Sequence, residues 1–336
     1  MRDPLKRLLV RLALDPDALG QLITGNLSLL AEDLSAEDRE ILSAGGAERL
    51  LARLSSPGDD EPCPLPARHD LRASGDAARR GSLAVVGTGI RSVGQLTGEA
   101  IAWIKYADRV WYLVAEPVAE GAIRALNPER SHSLASFYRE GKPRRDTYQE
   151  MVAEILASVR SGARTCAVFY GHPGIFVDPA HAAIQQARAE GFVAEMLPGV
   201  SAEDCLFADL GIDPATAGCQ TYEATDFLVN RRQLDPTSHA VLWQVGVLGN
   251  RAFSFRAGGG TPLTVLRERL GQTYPGSHEL CTYEAAVLPG CRPSVRWCAL
   301  DALEHAPLSI ISTIYIPPSS PPRLDLEMYF ALTGAR

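Results

Sequence analysis

Residues 83–90 read LAVVGTGI, a short aliphatic run that ends on two glycines separated by one residue. The run has the composition of a strand. Gly87 and Gly89, lacking side chains, permit a tight turn in which the backbone comes close to a ligand at the strand's C-terminal edge. The dinucleotide spacing G-x-G-x-x-G is not met, because the next glycine, Gly94, lies five residues beyond Gly89; alone, the pair is as much a turn as a binding motif. Three further runs follow, RVWYLVA (109–115), TCAVFYG (165–171) and HAVLWQVG (239–246), and they alternate with longer stretches of helical periodicity. A repeating strand, loop, helix order predicts an α/β protein.

Upstream of this run the composition changes. Residues 55–81 are rich in Pro, Gly, Ser, Asp and Arg and carry almost no apolar periodicity, so burial cannot repay their ordering entropy; they read as a flexible linker. Residues 1–54 show apolar residues at helical spacing, with Asp15-Pro16 and Ser35-x-x-Asp38 as helix starts and Gly45-Gly46 as a break. They are expected to form a small helical domain. At the far end, residues 319–336 read as a Pro-rich exit and a short helix.

The whole chain of 336 residues is 46% hydrophobic with a formal charge of -7 and a pI near 5.6. It can bury one large core or two moderate ones, and it has no broad basic field for a phosphate backbone, which argues against nucleic acid. No apolar run approaches the roughly 20 residues of a membrane helix, and the start MRDPLKRLL lacks the features of a signal peptide, so no membrane association is expected and the location reads as cytoplasmic. Seven scattered cysteines without a C-x-x-C pair read as buried free thiols, with no zinc site.

Three loops carry candidate chemistry. YGHPGIF (170–176) spends a His-Pro-Gly turn directly after a buried strand, where α/β folds bind ligands, although a lone His172 is more often structural than catalytic. LPGVSAED (197–204) ends a strand with Pro-Gly and offers Ser201 at a helix start, where capping is the simpler role. SFYREGKPRRDTYQEM (136–151) brings Tyr138, Arg144 and Tyr148 together where a polar loop becomes an amphipathic helix; Asp146 and Gln149 read as its capping pair, and Met151, Val152, Ile155, Leu156 and Val159 as its buried stripe. Arg144 could equally pair with Asp146 or Glu150, and the tyrosines could be surface fillers.

Taken together, VVGTGI, SFY…RRDTYQEM, VFYGHPGIFV, LPGVSAEDCLFADLGIDP, TYEATDFL, LWQVG, YEAAVLP and ISTIYIPP resemble, in order and spacing, the S-adenosylmethionine-dependent tetrapyrrole-methylase superfamily. The Tyr, Arg, Tyr set with YGHPG and YEATDFL is similar to its borosin branch, the peptide backbone α-N-methyltransferases. The resemblance covers residues 82–318 and implies a two-lobed, class III methyltransferase fold with a lobe boundary near 197. It also implies a homodimer, S-adenosylmethionine as cofactor and S-adenosylhomocysteine as product. On that resemblance Tyr138, Arg144 and Tyr148 form the catalytic group. Tyr170, His172, Ile175, Ser201 and Ala202 line the donor pocket, together with Gln244, Ala286 and Thr313 and with the Gly87-Thr88-Gly89 turn nearby. No metal is implied.

The chemistry gives these residue types a reason. Resonance makes an amide nitrogen a poor nucleophile, so it must be pushed toward an imidate. A guanidinium and a phenol at the carbonyl oxygen stabilise the charge that gathers there, and a second phenol takes the N–H proton. Either tyrosine could be the base; Tyr148 is preferred because it sits beside Arg144 at a helix N-terminus.

Residues 8–54 resemble, more loosely, the small helical borosin-binding domain normally carried by a separate precursor peptide. The fungal-type self-methylating proteins end in their own core peptide, whereas this chain ends in MYFALTGAR. A precursor peptide supplied in trans is the favoured substrate; the linker, the tail or a small molecule such as a tetrapyrrole are alternatives, as is an idle homologue serving as a peptide-binding scaffold.

Overall fold

A computed structural model describes residues 3–14, 33–44, 49, 53–54, 81–92, 94–114, 116–250 and 260–334. The chain divides into two compact units, Met1–Leu206 with Ala285–Arg292, and Phe207–Glu284 with Pro293–Arg336. Residues 55–80 of the expected linker 55–81, with Asp15-Pro16 and Gly45-Gly46, lie outside the described residues.

Among the described residues, the first unit begins with the helices α1 (Pro4–Leu14) and α2 (Ala36–Ala44). It continues with β1 (Ser82–Gly87), α3 (Gly98–Tyr106), β2 (Arg109–Leu113), α4 (Pro117–Leu126) and β3 (Ser131–Ser133). Then come α5 (Arg144–Arg160), β4 (Arg164–Phe169), α6 (Asp178–Ala189), β5 (Val193–Met196) and α7 (Ala202–Leu210), within which the chain leaves this unit. The five strands form one parallel sheet in the order β3-β2-β4-β1-β5. The aliphatic runs at 83–87 and 165–169 are its central strands, buried along their length because helices cover both faces.

α1 is capped by Asp3, whose carboxylate accepts the Leu5 N–H at 2.9 Å, with Pro4 at its first position. Ser35 caps α2, accepting the Asp38 N–H at 3.0 Å. Leu5, Leu8, Leu9, Leu12, Leu34, Ile41 and Leu54 share one buried cluster with Val118 and Ala122 of α4 and with Ala286 and Leu288. Arg53 ties this helical pair together, reaching Asp3 at 2.8 Å and Asp38 at 2.9 Å.

The second unit contains α8 (Pro214–Ala217), β6 (Cys219–Glu223), α9 (Ala224–Val229), β7 (His239–Trp243) and α10 (Thr261–Leu270). They are followed by β8 (Glu279–Glu284), β9 (Ser294–Ala299), β10 (Thr313–Ile316) and the tail helix α11 (Leu326–Thr333). Its sheet runs β6-β7-β10-β8-β9, parallel only between β6 and β7.

Among the described cysteines, all of them thiols outside any disulfide, only Cys166, Cys281 and Cys291 are buried; Cys205, Cys219 and Cys298 are half-exposed, which corrects the expectation of uniformly buried thiols. Among the described residues, no group of three His, Cys, Asp or Glu side chains is placed to hold a metal ion, and no helix is long and apolar enough to cross a membrane.

Candidate active site

Three turns at the C-terminal edge of the parallel sheet build the site. After β1, the Thr88 N–H donates to Phe169 O at 2.9 Å. The chains leaving β1 and β4 then close on each other, Gly89 N–H to Gly171 O at 3.2 Å and Gly171 N–H to Gly89 O at 3.0 Å. Both glycines have φ of +71°, a conformation that side chains disfavour. A Cβ on Gly87 would stand 2.0 Å from Gly171 O, and one on Gly199, after β5, would stand 3.1 Å from the same oxygen. Three bare backbones therefore stack at this edge. Nothing lies within 4 Å of a Cβ placed on Gly94, so the glycine that fails the dinucleotide spacing takes no part in this close approach.

Gln95 completes the first turn: its Oε1 accepts the N–H of Ile90 at 2.8 Å and of Arg91 at 2.7 Å. Ser92 donates to Glu116, whose carboxylate also accepts the Val118 and Ala119 N–H groups and so caps α4. Burial raises the Glu116 carboxyl above its ordinary range despite these bonds.

The second turn carries Tyr170, His172 and Ile175. Tyr170 donates its N–H to Leu113 O at 3.1 Å, and burial, then the neighbouring Cys205 and Glu116, keeps its phenol protonated. His172 Nδ1 accepts the Gly174 N–H at 2.9 Å, so this lone histidine does shape its own turn. His181, from α6, donates Nε2–H to Gly174 O at 2.9 Å. In the third turn Ser201 and Asp204 form a reciprocal cap: Ser201 N–H and Oγ–H each donate to Asp204 Oδ2 at 2.7 Å, and Asp204 N–H donates to Ser201 Oγ at 3.1 Å. Ala202 opens the helix that follows. Ala286 is buried in the cluster beneath α1 and α4, and its neighbour Val287 accepts the Ser92 N–H at 2.8 Å.

Gln244 and Thr313 belong to the second unit. Ile314 pairs with Leu242, which leaves Thr313 and Gln244 at the same end of β10 and β7. Gln244 is one of three non-glycine residues with positive φ among the described residues, at +58°.

Tyr138, Arg144 and Tyr148 come together. Tyr138 hydrogen-bonds Tyr148 and lies in the field of Arg144. Burial first, then Tyr148, pushes the Tyr138 phenol well above the ordinary tyrosine range, against the opposite pull of Arg144. Both rings pack on the cluster formed by Leu134, Met151 and Phe169. The helix begins three residues earlier than the Asp146–Gln149 pair implied: Arg144 is its first residue, Pro143 precedes it, and no side chain caps it. Arg144 forms no ion pair with Asp146 or Glu150, and Lys142 takes Glu150 at 2.7 Å. The first peptide N–H groups of this helix are thus left without a side-chain cap.

Sequence reading named neither Gln95 nor His181. Both act on turn backbone through space, and the only signal was the extra histidine five residues after His-Pro-Gly-Ile-Phe begins its exit into α6.

The donor set suits an adenosyl sulfonium. Bare backbone at Gly87, Gly89 and Gly171 lets these turns pack closely, Ile175, Ala202 and Ala286 are apolar, and Ser201 supplies a hydroxyl group.

The family model for Tetrapyrrole (Corrin/Porphyrin) Methylases matches residues 82–278. The chain is 46% identical over 246 residues to the methyltransferase/ribosomally synthesized type III borosin cyclic peptide precursor of Anomoporia bombycina, covering 72% of this chain and 28% of that protein. It is 43% identical over 261 residues to the methyltransferase/ribosomally synthesized cyclic peptide gymnopeptides precursor of Gymnopus fusipes, covering 76% of this chain and 62% of that protein. The chain thus spans less than two thirds of the length of these relatives. The crystal structure of uroporphyrin-III-C-methyltransferase from Thermus thermophilus shares the fold at 20% identity, with a TM-score of 0.51 over 71% of this chain and 93% of that one. With a match that covers more than half of its residues, the chain belongs to the tetrapyrrole methylase family.

Proposed function

We propose that this protein is a methyltransferase that places methyl groups on backbone amide nitrogens of a ribosomally made peptide. The observation that carries the reading is the Tyr138–Arg144–Tyr148 group at the open N-terminus of α5, on the sheet edge that also carries the glycine turns. The similarity to borosin precursor methyltransferases supports a peptide substrate over a tetrapyrrole.

When bound, S-adenosylmethionine supplies an electrophilic methyl carbon. Tyr138, held protonated, donates a hydrogen bond to the peptide carbonyl oxygen, and Arg144 balances the charge that collects there. Tyr148, at the helix N-terminus beside Arg144, accepts the amide proton. The nitrogen lone pair released from resonance would form the new N–C bond as the methyl–sulfur bond breaks with its electron pair left on sulfur, giving a neutral thioether, and the proton remains on Tyr148 until solvent removes it. The turns at 87–89, 170–175 and 201–202, with Ala286, would hold the donor.

In the same reading the protein is a cytoplasmic homodimer, residues 1–54 recruit the precursor, and the core peptide arrives on a separate chain. Incubation of the protein with S-adenosylmethionine and a precursor peptide should add mass in steps of one methyl group, with fragment ions placing each on a backbone nitrogen. Methyl groups found only on side chains, or only on an offered porphyrin, would refute it.

A further inference from the structure

Gln95 holds two parts of the glycine edge at once. Its Oε1 accepts the N–H groups of Ile90 and Arg91, at 2.8 and 2.7 Å, in the turn after β1. Both groups need an acceptor, so the oxygen must face this turn and the amide can lie only one way round. Nε2 is then directed out of the turn, where it donates to Cys205 Sγ at 3.5 Å. The turn is also folded tightly over the same side chain, since a Cβ on Gly89 would stand 2.3 Å from Gln95 Cβ.

Cys205 is tied in its turn to the segment after β5. Its N–H donates to Ser201 O at 3.2 Å, next to the reciprocal cap between Ser201 and Asp204. Its thiol also neighbours the phenol of Tyr170, in the turn after β4. Ile90, whose N–H Gln95 holds, packs on that turn as well, with Cδ1 3.1 Å from where a Cβ on Gly171 would stand. One amide therefore links the first and third turns, and the second lies against both. A ligand held by several loops binds best when the loops are already in register, because otherwise part of the binding free energy goes into ordering them.

We propose that Gln95 is a positioning residue for the methyl donor: its amide holds the turns after β1 and β5 in the register that the donor requires. The inference rests on the reading of these turns as the donor site.

The test uses the full chain and measures the Kd of S-adenosylhomocysteine by calorimetry, well below Tm. Gln95→Glu keeps an acceptor for Ile90 and Arg91 but loses the donor to Cys205, whereas Gln95→Leu loses both. Affinity should fall by about 5-fold in Gln95→Glu and by about 50-fold or more in Gln95→Leu, as for one and for three ordinary hydrogen bonds. Cys205→Ala should cost about the same 5-fold in the wild-type background and almost nothing further in Gln95→Glu, because both changes remove one bond. Cys205→Ser, whose hydroxyl can accept from Nε2, should keep most of the affinity that Cys205→Ala loses. A Gln95 that served only the fold would lower Tm in these variants and leave Kd at the wild-type value, and that result overturns the inference. Independent, additive losses in Gln95→Glu and Cys205→Ala overturn it too. A wild-type protein that does not bind S-adenosylhomocysteine overturns the reading of these turns as a donor site along with it.

Discussion

Replacing Gly87 by alanine is the sharpest perturbation of the glycine edge. The new Cβ would stand 2.0 Å from Gly171 O and 2.9 Å from Pro173 Cδ, and the nearer of these is backbone that cannot swing aside. Relief requires β1 and β4 to part beyond Gly87, which breaks the paired Gly89–Gly171 hydrogen bonds of 3.2 and 3.0 Å. Two lost bonds at about 1 kcal/mol each, with overpacking of about 1–3 kcal/mol, come to about 3–5 kcal/mol. In a unit of this size that corresponds to a fall in Tm of about 6–20 °C. Gly94→Ala is the control: its Cβ meets nothing within 4 Å and should change Tm by no more than a few degrees. Thermal unfolding gives the first readout, and titration with S-adenosylhomocysteine gives the second, with affinity lost only in Gly87→Ala. A Gly87→Ala protein with wild-type Tm and wild-type affinity would refute the close approach of these backbones.

Tyr148→Phe should lower turnover by about 10²–10⁴-fold with donor affinity unchanged, as measured by single-turnover mass spectrometry and calorimetry. Tyr138→Phe should lower it by about 10²–10³-fold, as the loss of one donor to a developing oxyanion does, without shifting the pH profile of the base. Leu9→Ala, at a fully buried position shared with Val118 and Ala286, should destabilise the protein by about 2–5 kcal/mol in denaturant unfolding. Glu116 has a raised carboxyl, so the folded state binds its proton more tightly than the unfolded state does. Stability should therefore fall as pH rises from the unfolded value of 4.5 through the higher folded one, and Glu116→Gln should flatten that part of the Tm–pH curve.

The strands that proved legible were those buried along their length. LAVVG and TCAVF are continuous apolar runs because a central parallel strand meets helices on both sides, and this pattern survives without context. Ser131–Ser133 is three polar residues long, and its strand character comes only from pairing with β2. The start of α5 was misplaced because Asp146 and Gln149 carry a capping signature, whereas Pro143 ahead of Arg144 supplies a preset φ and no cap at all. Periodicity made α1 visible, but its buried partners on α4 and near Ala286 lie more than a hundred residues away, beyond the reach of local pattern. Tyr138 and Tyr148 could be linked because ten residues of loop and first turn join them in sequence. Gln95 and His181 could not, since each reaches a backbone group whose position depends on the folded turn.

The central claim concerns which atom receives the methyl group. The most direct measurement uses S-adenosylmethionine carrying a ¹³C-methyl group, a peptide labelled with ¹⁵N along its backbone, and an NMR spectrum of the product. The expected result is a methyl carbon coupled directly to backbone ¹⁵N, with the matching N–H signals lost. Methyl carbons that couple to no backbone nitrogen, while all the N–H signals persist, would contradict it.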